Sequence, residues 1–138
     1  MGKTYWLTVL VFFVAAMATD FVLHGVLLHA DYLGIPGIMR TPEDSQQYFP
    51  LMLLAHVFIA LTFVAIYQRG VEYHKPWAGQ GLRFGVLVAF LTVVPTYMIY
   101  YVVQPMPPLL VGKQIVFDLV RTALLGLLVG WMYRARPA

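Results

Sequence analysis

The feature that most constrains this chain is a fourfold recurrence of long apolar stretches. A helix that crosses a bilayer needs about 20 mostly apolar residues. Residues 5–28, 48–67, 82–103 and 109–133 each meet that length. Soluble domains carry roughly a quarter charged residues, whereas here only 11% are charged and 61% are hydrophobic. The sequence therefore predicts an all-α integral membrane protein: a single domain over residues 1–138, built as a four-transmembrane-helix bundle.

The links between the stretches are short. "HADYLGIPGIMRTPEDSQQ" (29–47) is the longest, with Gly and Pro as breakers and room for a short interfacial segment. "QRGVEYHKPWAGQG" (68–81) and the Pro-rich "QPMPP" (104–108) are tighter. Short links make sequential helices antiparallel neighbours, so an up-down-up-down bundle is expected. Lys3, Arg69, Lys75, Arg83, Arg134 and Arg136 fall on one side, and only Arg40 and Lys113 on the other. The positive side faces the cytoplasm. That places both termini inside (N-in/C-in) and the protein in the cytoplasmic (inner) membrane. The first stretch is read as a retained span, because its apolar pattern resumes after the weak small-residue site in "AAMATD".

Several function classes drop out. There is no cysteine, hence no disulfide, thiolate metal site, iron–sulfur cluster or thiol catalysis. The sequence pI is about 9.3, but the basic residues stand singly at span ends, as topology signals do, so no nucleic-acid partner is expected. No Gly-rich phosphate loop, nucleophile elbow or HExxH motif is present. The loops are too short for a soluble catalytic site, and the expectation leans against an enzyme.

What remains is a set of polar residues inside the spans. Asp20 and His24 are one turn apart near the end of the first span, and His56 lies at similar depth in the second. Gln114, Asp118 and Arg121 recur at i, i+4 and i+7 along one face of the fourth. Tyr97 lies in the third span, along with a Thr92, Thr96, Tyr100 series at i, i+4 and i+8. At about 1.5 Å of rise per residue, these groups all fall in the outer half of the membrane. Ionisable groups facing lipid cost several kcal/mol, so they are expected to turn inward and pair. The expected result is an outer-half pocket lined by Asp20, His24, His56, Tyr97, Gln114, Asp118 and Arg121. Pro95 would free a backbone carbonyl and widen it.

Three readings follow. The first is a small binding or accessory protein, its pocket holding a ligand or its surface docking on a larger membrane complex or a second copy. The second is a proton or divalent-metal transporter or relay, with intramembrane Asp and His as stepping stones. The third is a membrane redox enzyme acting on a lipophilic substrate, with haem b between His24 and His56 or a metal on His24, His56, Asp20 and Asp118. A purely structural acid–Arg–acid lock between the first and fourth spans is the plain alternative for Asp20, Asp118 and Arg121. Two small-xxx-small patterns, "GLRFG" (81–85) and "GLLVG" (126–130), predict close helix approach at the inner ends, or dimerisation for the second.

Overall fold

The computed structural model describes residues 2–134, and all of its regular elements are helices. Arg136, counted among the inner charges above, lies outside the described residues. Four helical stretches are long and apolar enough to cross a membrane: Lys3–Leu27, Phe49–Gly70, Trp77–Val103 and Pro108–Met132. They match the expected spans, with ends displaced by up to five residues. The largest displacement is at the start of the third, where Pro76, with non-helical ψ, immediately precedes the helix that begins at Trp77.

Span one is helix α1 (Lys3–Asp20), continued by a π-helical segment, Phe21–Leu27. The wider winding is visible in the Leu28 N–H, which donates to the Leu23 carbonyl five residues back. The connection to span two holds two short helices, α2 (His29–Leu33) and α3 (Pro42–Gln46). Thr41 caps α3 by accepting from the Asp44 N–H, and Pro42 opens its first turn. Span two is α4 (Phe49–Gly70). Span three is α5 (Trp77–Leu91) and α6 (Val93–Val103), broken at Thr92. The break has a local cause: Pro95 has no N–H to give the Leu91 carbonyl. Span four is α7 (Pro108–Met132), again with a proline in the first turn.

The tightest contact in the bundle joins α5 to α7. A Cβ added at Gly81 would lie 2.5 Å from the Gly126 carbonyl oxygen, and one at Gly85 2.5 Å from that of Thr122. One at Gly130 would lie 2.8 Å from the Trp77 carbonyl oxygen. These pairings (77 with 130, 81 with 126, 85 with 122) run in opposite directions, so α5 and α7 cross antiparallel with their backbones touching. Both glycine patterns serve this one crossing, and "GLLVG" is not a free face for dimerisation.

The core has two parts. At the glycine end, Tyr5, Phe12, Phe63, Val64, Tyr67, Leu125 and Val129 pack together. At the other end, α2 folds back so that Leu28 and Ile35 meet Leu23, Met106, Leu110 and Val111. A bridge from the Lys113 ammonium to both Asp31 oxygens, at 2.8 and 3.0 Å, ties α2 to α7. The polar residues of the spans lie between these two clusters.

Candidate intramembrane charge cluster

Asp118 is the hub, and it is 3% exposed. Its Oδ1 accepts from Arg121 Nη1 at 2.5 Å. Its Oδ2 accepts from the Tyr97 hydroxyl at 2.5 Å and faces His24 Nε2 at 3.5 Å. The i, i+3 spacing on α7 brings Arg121 beside Asp118. Arg121 then reaches across to span one, with Nη2 3.2 Å from Asp20 Oδ1 and Nε donating to Thr19 Oγ1 at 3.2 Å. Asp20 also faces both imidazoles: His24 Nε2 is 3.8 Å from Oδ1 and His56 Nε2 is 3.8 Å from Oδ2. All seven residues singled out in the sequence therefore belong to one connected network, with Gln114 joining through Tyr32.

Hydrogen-bond chemistry assigns the histidine tautomers. His56 Nδ1 lies 2.9 Å from the Met52 carbonyl oxygen, which can only accept, so Nδ1 carries a hydrogen. His56 Nε2 then faces the Asp20 carboxylate at 3.8 Å. It is buried with no hydrogen-bond partner, in a residue 6% exposed. His24 Nδ1 meets the Tyr32 hydroxyl at 2.6 Å, and Gln114 Nε2 donates to that same hydroxyl at 3.2 Å. Tyr32 is free to give its own hydrogen to His24 Nδ1, and in that tautomer His24 Nε2–H points at the two acids. Burial raises the Tyr32 hydroxyl above the ordinary tyrosine range.

Two acids and one guanidinium meet two imidazoles here, and ionisable groups inside a membrane turn inward and pair with one another. One atom each from Asp20, His24 and Asp118 lies within 4.8 Å of the others, a separation a metal ion could draw together. His56 Nε2 faces the other oxygen of Asp20 and stands outside that group of three.

The structure adds two residues that sequence reasoning missed, Tyr32 and Thr19. Tyr32 lies outside the spans in a Gly- and Pro-rich link, and only the fold-back of α2 brings it to His24. It also removes one expectation. Thr92, Thr96 and Tyr100 are exposed on the bundle surface rather than turned inward. Thr92 satisfies its hydroxyl on the Val88 carbonyl of its own helix at 2.8 Å, so facing lipid leaves no bond unmade. His29, on α2, and His74, 76% exposed beside Glu72, lie apart from the cluster.

No known protein family matches this chain, and neither a curated protein nor a solved structure is significantly similar to it.

Proposed function

We propose that this chain is a small multi-pass binding protein of the cytoplasmic membrane, with up-down-up-down spans and both termini inside. Its outer-half site takes up one divalent transition-metal cation of the zinc class through His24, His56, Asp20 and Asp118. The observation that carries the reading is the buried, unpartnered His56 Nε2 facing Asp20 at 3.8 Å. A structural lock accounts for Arg121 between Asp20 and Asp118, but it leaves His56 Nε2 without a hydrogen-bond partner.

The donor set fits. Nitrogen and carboxylate ligands suit zinc, whose bond lengths near 2.0–2.1 Å set ligand–ligand edges of about 3.3 Å in a tetrahedron. The His24 separations of 3.5 Å to Asp118 and 3.8 Å to Asp20 Oδ1 are a few tenths of an ångström longer, and His56, 3.8 Å from the other Asp20 oxygen, swings in to complete the set. Binding requires His24 to move its hydrogen to Nδ1, where Tyr32 accepts it. A ligand histidine held by a hydrogen bond on its second nitrogen is the usual arrangement at metal sites. Haem b fits less well, because the Asp20 carboxylate approaches both imidazoles and a macrocycle would have to displace it. Conduction is also less favoured: among the described residues, the buried His56 and Asp118 both belong to this cluster, and the glycine-end core is aliphatic and aromatic.

Titration of the purified, chelator-treated protein with zinc tests the reading. One equivalent should bind, with at least tenfold weaker affinity in His56→Gln and in Asp118→Asn. Equal affinity in both variants would overturn it.

A further inference from the structure

Arg121 also reaches a second feature, a crevice of about 280 Å³ that is distinct from the metal ligands. Its floor is Phe12, Ala16, Phe63 and Leu125, all buried. Its rim is Ile59, Thr62 and Ile66 on α4 and Leu91 and Thr92 at the break in span three, all exposed. The aromatic contacts that join spans two and three, Phe63 with Phe84 and Tyr67 with Phe84, lie toward the glycine end. Beyond them the two spans part, and the opening faces sideways at mid-span. In a bilayer, what borders that opening is the hydrocarbon of the membrane.

At the back is a donor with capacity left over. A guanidinium carries five N–H groups. Thr19, Asp118 and Asp20 engage one each on Nε, Nη1 and Nη2, so two remain. The Arg121 side chain keeps 16% of its surface accessible, although it sits mid-span. A cationic donor left open toward hydrocarbon is costly, and an acceptor that covers it relieves that cost. The charge of the acceptor is also constrained. An anionic head group would add negative charge beside Asp20 and Asp118, whose sum with Arg121 is already negative. A cationic one would face the guanidinium itself.

We infer that this crevice admits, sideways from the membrane, a neutral lipophile whose carbonyl oxygen accepts from Arg121 while its apolar body lies between Phe12, Phe63 and Leu125. A quinone head group and an ester lipid share that chemistry. The volume, just below the usual range of about 300–1,000 Å³ for small-molecule sites, fits a single ring or a short length of chain.

Photolabelling in nanodiscs tests the inference. Two probes are used, a diazirine-bearing ubiquinone analogue and a diazirine-bearing fatty methyl ester, with peptide mapping of the adducts. At least one probe should label Ile59, Thr62 or Leu91 saturably, and the one that does identifies the source. Excess unlabelled probe should suppress the adducts, while an alkane of equal length should compete at least tenfold less well. Thr62→Trp and Leu91→Trp, which fill the mouth from exposed positions, should each cut labelling about fivefold or more. Leu10→Trp, on a lipid-facing position outside the crevice, should not. Labelling that is non-saturable, equally suppressed by the alkane, or unchanged in both rim variants would overturn the inference.

Discussion

His56 Nε2 lies 3.8 Å from Asp20 Oδ2, buried and unpartnered, while His56 Nδ1 is fixed by the Met52 carbonyl at 2.9 Å. The two facts together set a buried histidine nitrogen with no hydrogen-bond partner against an aspartate on a separate span. The metal reading rests on this pair, and the Arg121 bridges explain why one cation is the expected load rather than two.

Arg121→Leu should destabilise the bundle by about 3–5 kcal/mol, the usual cost of removing one partner from a buried ion pair. Asp118 would keep Tyr97 but lose its guanidinium, and Asp20 would lose its 3.2 Å contact. Chemical denaturation in mild detergent measures the effect, and a curve that overlays wild type would contradict the inward pairing.

Tyr32→Phe removes the hydroxyl between His24 Nδ1 and Gln114 Nε2. Losing such a support behind a metal-binding histidine typically costs about 10- to 100-fold in affinity. The same zinc titration reads this out, and an unchanged affinity would place Tyr32 outside the site's machinery.

Gly85→Ala should destabilise the fold by about 1–3 kcal/mol through overpacking, since the new Cβ would meet backbone at 2.5 Å. Gly112→Ala in α7 is the contrast: nothing lies within 4 Å of the added Cβ. There a helix interior gains up to about 1 kcal/mol in propensity. Thermal melts of the two variants should move in opposite directions, and a common direction would argue against the antiparallel backbone contact of α5 and α7.

In the 71–76 connection, the hydrogen bond from Lys75 holds the Glu72 carboxyl below the ordinary glutamate value of 4.5. The sign follows from linkage. A carboxyl depressed in the folded state adds stability that is present above its unfolded pKa and is lost as pH falls through the folded value. Both groups are exposed, so solvent screens the pair and the contribution is small. NMR titration should find the Glu72 midpoint below 4.5 and rising in Lys75→Met; a midpoint at the free value would remove this local clamp.

Much of this arrangement was legible in the sequence, because lipid imposes simple rules. Apolar length gave the four spans, and the cost of bare charge pointed Asp20, His56, Asp118 and Arg121 at one another. Two things were hidden. Tyr32 reaches His24 only because the π-helical turn and the α2 fold-back place a loop residue over the cluster, and neither has a period to read. Thr92 and Thr96 misled for the opposite reason: a threonine hydroxyl can satisfy itself on its own helix, as Thr92 does on Val88, so polar spacing in a span did not require an inward face.

The most direct measurement of the central claim is elemental analysis, with an absorption spectrum, of wild-type protein gently solubilised from its membrane, beside a His24→Ala/His56→Ala double variant. The account predicts about one divalent transition metal per wild-type chain, no haem absorption, and a metal-free variant that remains folded. A wild-type protein that carries no metal and takes up none on incubation with zinc would contradict it.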